Sequence, residues 1–283
     1  MKKIIFLMAL CFGLQANAAD IYVNSSGAAG TYSSISAAIT AANSGDRIIV
    51  STIAAYLEGL TIDKSITIIP QTPGDFINIS GTISITANAS TIVRLIGFNL
   101  TGNIVAISGT ATETDRCEFY IVDSSVEGDV NGDVAGFATN VLYCDLTEHI
   151  ILFRFGKIIG SSIKYFGIMP GDGTNYNDTT LIIANQVRNA SSSPYYQNYN
   201  PYNASYINVQ SFVNNEDHYF IIANNNFYGV ASGSSYCNLR LYKSDTSGNG
   251  KNLIINNTFT NYLGSLGSNL QFWYQCSHVK TIV

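Results

Sequence analysis

Apolar residues in this chain occur mainly as short runs of aliphatic and β-branched residues separated by polar ones. From Asp75 onward most runs share one shape: two apolar residues, two or three small or amide residues, and one further apolar residue. Residues 181–187, 220–227 and 253–259 show this shape most clearly. The pattern predicts a strand that passes through a tight turn into a second strand.

The spacing of these runs predicts the fold class. Successive runs start roughly 20–40 residues apart, which is typical of stacked repeats. No helical pattern separates them, which argues against βαβ units and favours parallel sheets of stacked coils. We predict an all-β, right-handed parallel β-helix (solenoid), with the hand set by strand twist and crossover chirality. The expected core positions are Ile49, Ile62, Ile68, Leu95, Ile121, Leu142, Ile182, Ile222 and Ile255.

Asparagines recur at the turn of the repeated shape. If the coils stack, Asn185, one of Asn224 and Asn225, and one of Asn256 and Asn257 reach the same level of the turn. Stacked amides hydrogen-bond to one another along a solenoid. We therefore predict an internal amide ladder with a structural role.

One segment near the start has helical periodicity. Ile35, Ala38, Ile39 and Ala42 follow the i, i+3, i+4, i+7 pattern of a helix with one apolar face. Ser33 or Ser34 can cap its start, and residues 43–45 can end it. We predict a short N-terminal capping helix within a cap of residues 19–46, followed by the solenoid over residues 47–283.

Residues 1–18 have the pattern of a secretory signal peptide. A positive start is followed by an apolar stretch and by Ala16-Asn17-Ala18, a small-x-small cleavage site. The apolar stretch is too short for a membrane anchor, and the short two-lysine start is typical of bacteria. The mature protein is therefore expected to be secreted or on the cell surface, without a membrane span.

The other end carries no closing element. Residues 269–274 and 278–283 resemble strands, and an uncovered last coil exposes a β edge. This predicts a chain truncated at its C-terminus or a partner that covers the end. An uncovered end also suggests one hypothesis for the function, which is end-to-end self-association as the subunit of a self-assembling surface fibre.

Residues 21–70 also resemble a known family signature. The matching elements are Tyr32, Ser34, Ala37-Ala38-Ile39, Gly45-Asp46, Ile48-Ile49-Val50, Tyr56, Glu58 and Lys64-Ser65. They resemble the N-terminal cap and first coil of parallel β-helix proteins with the pectin-lyase-like fold, among which pectinesterases have the most similar cap. Ala54 departs from the pattern, which has glycine there. The same cap occurs on esterases, lyases and non-enzymatic surface proteins, so the resemblance implies a fold and leaves the activity open.

The amino-acid composition limits the classes of ligand and partner that the protein is expected to bind. Only 12% of residues are charged and the net charge is −5, so nothing attracts the chain to nucleic acid. Four cysteines follow the signal peptide, namely Cys117, Cys144, Cys237 and Cys276, at spacings that match no zinc site. Both disulfides and buried free thiols are compatible with them.

Two segments outside the repeat pattern are candidate binding sites. Asp129, Asn131 and Asp133 have the D-x-N-x-D spacing of a calcium loop, although Val134 and Asn140 stand where such a loop has glycine and glutamate. Calcium is therefore the one candidate cofactor, and a solvated acidic turn is the alternative. The second segment is rich in tyrosine and proline. Its candidate ligand-binding residues are Tyr195, Tyr196, Tyr199 and Tyr202, whose rings could stack on sugar rings or simply cover the sheet.

No catalytic residue is predicted. Arg94, Arg154, Lys157 and Lys164 occur in no recognisable motif, and the histidines have no nucleophile motif beside them. The sequence favours a non-catalytic protein that binds a polysaccharide or cell-surface glycan or mediates adhesion. The alternative is a polysaccharide-degrading lyase or hydrolase, which would require acids and a base in one shared groove.

Overall fold

The computed structural model describes residues 18–153, 155–169, 178–187, 205–211, 218–228, 237–243, 252–260, 270–273 and 279–282. Within this part the single helix is α1 (Ile35–Ala41), and the other elements are strands. The strands pair in parallel in two sheets, one of 11 strands and one of 15. The fold is therefore a parallel β-solenoid, which confirms the predicted fold class. Its right-handedness stays a prediction.

The strands form three rows, and most coils contribute to all three. The first row, which is the 11-stranded sheet, contains β1 (Asp20–Val23), β2 (Arg47–Val50), β4 (Ile66–Pro70), β7 (Ile92–Ile96), β10 (Cys117–Val122), β13 (Phe137–Leu142), β15 (Gly156–Ile159), β17 (Asp178–Ile183), β20 (His218–Ala223), β23 (Asn252–Ile255) and β26 (Val279–Ile282). The second row contains β5 (Ile77–Ser80), β8 (Phe98–Thr101), β11 (Ser125–Val126), β18 (Gln186–Val187), β21 (Asn226–Tyr228) and β24 (Thr258–Thr260). The third row contains β3 (Leu60–Ile62), β6 (Ile83–Ala87), β9 (Ile104–Ser108), β12 (Val130–Gly132), β19 (Ser205–Ser211), β22 (Cys237–Lys243) and β25 (Leu270–Trp273). Two long strands, β14 (Asp145–Phe153) and β16 (Ser162–Met169), run through both the second and the third row and join them into the 15-stranded sheet.

The interior of the solenoid is a continuous apolar core. Alternate residues of each strand point inward, and the parallel register places like residues above one another. Ile68, Leu95 and Ile121 are one such stack and have no exposed surface. The predicted core positions that are buried are Ile49, Ile62, Ile68, Leu95, Ile121, Ile182 and Ile222.

Two predicted core positions were wrong by one residue. Leu142 and Ile255 are half-buried, whereas their neighbours Val141 and Ile254 are buried. A shift of one residue moves a side chain to the opposite face of a strand. The first row also carries aliphatic residues on its outer face at this level, so apolarity alone did not distinguish the two faces.

The predicted amide ladder is confirmed at the turn between the first and second rows. Asn185 is 1% exposed, and its backbone N–H donates to Oδ1 of Asn225 at 2.9 Å. The backbone N–H of Asn225 donates to Oδ1 of Asn257 in the same way at 2.9 Å. Towards the N-terminus the ladder continues with smaller side chains, since Ser161 Oγ accepts from Cys144 N at 3.1 Å. The number of residues per coil varies greatly. Ladder neighbours are 17 residues apart at Cys144 and Ser161 but 40 residues apart at Asn185 and Asn225.

The residue before each ladder position is in the left-handed backbone region. Non-glycine examples are Asp123 (φ 47°), Tyr143 (φ 58°), Ala184 (φ 59°), Asn224 (φ 56°) and Asn256 (φ 49°). This conformation lets the strand turn within two residues and directs the next side chain inward. It costs about 1–2 kcal/mol for an ordinary L-residue, and less for asparagine.

Ala184→Asn should therefore stabilise the protein. Asparagine tolerates the left-handed region, and at position 184 it would lie one coil from Asn224. That side chain already accepts a 2.8 Å hydrogen bond from Asn256 Nδ2 on its other side. We expect a gain of about 0.5–1 kcal/mol in the free energy of unfolding, measured by urea denaturation. An unchanged or lower midpoint would contradict this account of the turn.

Helix α1 is held by side chains of the first coil. Ser34 caps it by accepting from Ala37 N at 3.1 Å, and the Glu58 carboxylate accepts from the backbone N–H groups of Ile35 and Ser36. At the other end Lys64 Nζ donates to the carbonyl of Ala42 at 3.1 Å. These charges have the signs that stabilise helix ends. Buried Asp46 accepts from the backbone N–H groups of Ala19 and Asn43, at 2.8 and 2.7 Å.

A glycine file forms the bend between the second and third rows. Gly81 and Gly102 have φ values of +149° and +148°, which are unfavourable for other residues. A Cβ at Gly102 would lie 2.3 Å from the Gly81 carbonyl oxygen, and one at Gly128 would lie 2.2 Å from that of Gly102. The coils therefore touch backbone to backbone at this corner.

Cys117 and Cys144 are buried free thiols, while Cys237 and Cys276 have no described side chains. Burial raises the pKa of both described thiols to about 12. Thiolate is therefore scarce at neutral pH, and these two residues have a packing role. No helix in the described ranges has the length and apolar character needed to cross a bilayer.

Candidate functional site

Residues 71–76 form a ridge between β4 and β5 on the surface of the solenoid. In later coils the first and second rows are joined by one or two residues, such as Gly97, whereas here β4 and β5 are joined by this longer segment. Pro70 ends β4, and a turn follows in which Asp75 N donates to the Thr72 carbonyl at 3.1 Å. The turn lifts Phe76 outward, so that 47% of its surface is exposed.

A polar groove lies on the second-row side of the ridge. It has a volume of about 590 Å³ and is lined by Thr52, Gly74, Asp75, Phe76, Asn78, Asn99 and Ser125. Asn99 Nδ2 donates to Asn78 Oδ1 at 2.9 Å, and Thr52 Oγ1 donates to Asp75 Oδ2 at 2.9 Å. The groove thus offers a partly exposed aromatic ring next to amide, hydroxyl and carboxylate groups.

An apolar groove lies on the first-row side of the same ridge. Its volume is about 370 Å³ and its lining residues are Ile69, Pro70, Pro73, Gly74, Asp75, Phe76, Ile96, Gly97 and Asp123. Two carboxylates are therefore set among apolar walls. Of the described residues that line either groove, none is Lys, Arg or His.

The polar groove opens onto a long row of polar residues, which we call the polar stripe. Residues of the second row stand in parallel register along it, and half-buried or exposed positions alternate with buried ones. Its members are Asn78, Asn99, Ser125, Asp145, Ser162, Gln186, Asn226 and Thr258. Neighbouring strands are about 4.8 Å apart, so the stripe is a regularly spaced array of amide, hydroxyl and carboxylate groups. Ser162 occupies the stripe position of its coil, but its Oγ is buried and has no hydrogen-bond partner among the described residues.

The tyrosines predicted to bind ligand, Tyr195, Tyr196, Tyr199 and Tyr202, lie outside the described residues. The chain enters that tract from β18, whose Gln186 belongs to the polar stripe, and leaves it at β19 in the third row. The tract thus connects the second row to the third.

The predicted calcium ligands Asp129, Asn131 and Asp133 lie at and beside β12. Val130 and Gly132 point into the core, so the three side chains lie on one face of a strand and not around a turn. Asp129 Oδ1 accepts from His149, and Asn131 Oδ1 accepts from the backbone N–H of Asp133 at 3.0 Å. Asp133 is exposed as a residue, but partial desolvation of its carboxylate raises its pKa.

Calcium binding stays a prediction, and chelation tests it. Among the described residues, no group of three or more His, Cys, Asp or Glu is placed to hold a metal ion. If the three ligands bind calcium, EDTA should lower the melting temperature, and Asp129→Ala should remove this sensitivity. Identical melting curves with and without EDTA would refute the site.

The structure brings together a charged cluster that the sequence did not predict: Asp129, Glu148, His149 and Lys164. His149 Nδ1 lies 2.8 Å from Asp129 Oδ1, and Lys164 Nζ lies 3.0 Å from Glu148 Oε2. The parallel register places Glu148 beside Gly128, which is the last glycine of the glycine file. The charged cluster therefore begins in the coil that follows the glycine file. The register of β14 and β16 shifts between Leu146 and His149, so the strand continues through the corner.

The Asp129–His149 contact should make stability depend on pH. The hydrogen bond from His149 lowers the pKa of Asp129 below its ordinary value of 3.8. The stabilisation is therefore complete above about pH 4 and is lost as the pH falls through the lower folded-state pKa. We expect Asp129→Asn to reduce the loss of stability below pH 4, measured by urea denaturation at several pH values. Asp63→Asn, at an exposed position outside the cluster, is the control; equal acid sensitivity in the two variants would contradict the prediction.

The candidate bases are distributed over different surfaces. Arg94 lies on the outer face of the first row, where its Cζ is 5.3 Å from the centre of the Tyr120 ring, and Lys157 is exposed in β15 of the same row. Arg154 lies outside the described residues. Asp129, by contrast, adjoins the third row. Lys164 has a carboxylate beside it, that of Glu148.

Sequence reasoning missed the ridge and its grooves. The signal was present, because Pro73-Gly74-Asp75 between two apolar runs is a turn sequence. However, the partners of Phe76 are contributed by other coils, and their proximity depends on the register. The comparisons add no assignment, since neither the protein-family models nor the curated proteins searched give a match to this chain.

Proposed function

We propose that this protein is an exported, pectin-lyase-like β-helix that binds a polysaccharide or cell-surface glycan without cleaving it. The observation that carries the proposal is the polar stripe, which runs in register from Asn78 to Thr258 and begins at the exposed ring of Phe76. A polysaccharide carries hydroxyl groups at regular intervals along its length. The polar stripe carries hydrogen-bonding side chains at regular intervals, so the two can pair along their length.

The chemistry of the stripe suits a sugar chain. Amide and hydroxyl side chains both donate and accept hydrogen bonds, as sugar hydroxyls do. Phe76 provides a flat apolar surface on which the apolar face of a sugar ring can stack. The rigid parallel sheet holds these groups in place before binding, so little conformational entropy is lost. The rings of Tyr195, Tyr196, Tyr199 and Tyr202, which the sequence predicts to stack on sugar rings, belong to the same proposal.

The pectin-lyase-like part of the proposal is supported by the contacts of the matching residues. Glu58 and Lys64 bind opposite ends of α1, and Asp46 binds the segment that leads into β1. The OH of buried Tyr56 donates to the carbonyl of Ser51 at 3.0 Å. Glu58 and Lys64 therefore attach the helix to the first coils, whereas Asp46 and Tyr56 hold the segments beside it. Export is supported by the signal-peptide pattern of residues 1–18.

Retention on immobilised polysaccharides tests this proposal. A panel of acidic, neutral and amine-bearing polymers should include at least one that retains the mature protein, with no new reducing or unsaturated ends. Phe76→Ala should weaken binding about tenfold. Tyr22→Ala is the matched control, because Tyr22 is a similarly exposed aromatic residue on β1, with 44% of its surface accessible. No retention on any polymer, or equal loss in both variants, would refute the proposal.

The charged cluster is the observation that favours the alternative, a polysaccharide-degrading enzyme. Glu148, His149 and Lys164 place groups suited to general acid–base chemistry at one corner of the solenoid. Release of reducing or unsaturated ends, abolished by Glu148→Gln and unaffected by Asp63→Asn, would establish this function and overturn binding without turnover.

A further inference from the structure

We infer that the apolar groove beside Phe76 binds a protonated amine and that the ligand is a glycan of amino sugars. This inference rests on the proposed function and specifies its ligand class. It depends on the walls of the groove, on its two carboxylates and on the absence of cations among its described lining residues.

The walls of the groove suit the body of a sugar ring. Ile69, Pro70, Pro73 and Ile96 line it together with the ring of Phe76, and its volume of about 370 Å³ lies in the range of small-ligand pockets. Flat apolar surfaces of this kind contact the C–H face of a pyranose and leave its polar substituents at the rim. The groove joins the polar groove at Gly74–Phe76, so one chain could occupy both.

The polar groups at the groove select the charge of the ligand. Asp75 uses Oδ2 to accept from Thr52 Oγ1, and no contact of its Oδ1 occurs within the described part of the chain. Asp123 is exposed, and its carboxylate likewise has no hydrogen-bond or ion-pair partner among the described residues. A protonated amine can donate to both carboxylates, and hydrogen bonds between charged groups are the strong ones.

The same charges disfavour an acidic polymer. Asp145 continues the acidic character along the polar stripe, and the whole chain has a net charge of −5. A uronic acid would bring a carboxylate next to Asp75 and Asp123, and no described lining residue of the groove is a cation that could neutralise it. The ring of Phe76 adds attraction for a cation, because the face of an aromatic ring is electron-rich.

Calorimetry with three oligosaccharides of equal length tests the inference. The probes are a β-1,4-linked glucosamine hexamer, its fully N-acetylated counterpart and an oligogalacturonate. We expect the mature protein to bind the amine hexamer about tenfold more tightly than the N-acetylated one. The oligogalacturonate should bind most weakly, and added salt should reduce the amine preference.

Three variants assign the preference to the groove. Asp75→Asn and Asp123→Asn, singly and together, should reduce the affinity for the amine hexamer to that for the N-acetylated one. An asparagine at position 75 still accepts from Thr52, so the ridge is preserved. Asp63→Asn makes the same charge change at an exposed position away from the groove and should retain the preference. Persistence of the preference in the double variant would overturn the inference.

The outcomes separate this inference from the proposed function. If the neutral or acidic oligosaccharide binds as well as the amine hexamer and Phe76→Ala weakens binding about tenfold, the inference is overturned and glycan binding stands. If no oligosaccharide or polysaccharide binds, both are overturned. If a lysine-rich peptide binds more tightly than the amine hexamer, the groove belongs to a protein partner and the inference is wrong.

Discussion

Gly102→Ala should largely prevent the chain from folding. The new Cβ would lie 2.3 Å from the carbonyl oxygen of Gly81, and the backbone at φ +148° is unfavourable for alanine. The added Cβ and the Gly81 carbonyl group are both attached directly to the backbone, so neither can rotate away from the other. The clash is relieved only if the two coils move apart. We expect a loss of about 4 kcal/mol or more, a large part of the stability of an ordinary domain. Urea denaturation of purified protein, or soluble yield where too little folds, measures it.

Gly30→Ala separates the close approach from the backbone conformation. Gly30 also has a positive φ, of +81°, but nothing lies within 4 Å of its added Cβ. Only the backbone cost applies there, and we expect a loss of about 1 kcal/mol. Similar losses in the two variants would mean that the coils do not depend on backbone contact at the glycine file.

Asn225→Leu should be the second large effect. Asn225 is 1% exposed; its Oδ1 accepts from Asn185 N, and its Nδ2 donates to the Ile182 carbonyl, both at 2.9 Å. Leucine fills similar space but leaves a buried donor and a buried acceptor without partners. Each unsatisfied group costs about 1–3 kcal/mol, so we expect a loss of about 3–5 kcal/mol in the free energy of unfolding.

The ladder itself provides the matched control, Asn225→Ser. Serine occurs at position 161, where its Oγ accepts from Cys144 N and donates to the Ile159 carbonyl. At position 225 it would retain an acceptor for Asn185 N, and we expect a loss of only about 1–2 kcal/mol. A serine variant as unstable as the leucine variant would show that the side-chain volume matters more than the hydrogen bond.

The candidate site was less predictable than the fold. Phe76 and Asp75 follow a recognisable turn, but Asn99, Ser125 and Asp123 reach the same grooves only through the stacking of later coils. His149 and Asp129 are 20 residues apart, and their contact depends on the length of the coil between them. The local sequence does not show how many residues complete one coil, so it does not show which residues of successive coils come into contact.

By itself, the sequence determined the parallel solenoid, the short helix and the amide ladder. Each depends on local pattern: β-branched runs form strands, the i, i+3, i+4 spacing of Ile35, Ala38 and Ile39 forms α1, and repeated asparagines meet wherever coils stack. The tertiary structure decided the finer assignments. It placed Val141 inward in place of Leu142, and Asn225 inward in place of Asn224.

The physical reason is that a strand with apolar residues on both faces has two registers of similar local energy. The left-handed residue at each turn selects between them, because it directs its own side chain outward and the next one inward. Neighbouring coils then hold that choice through the ladder, as Asn257 does when it accepts from Asn225 N. The surface features follow from the same register, since the polar stripe exists only where successive coils align the outward residues of the second row.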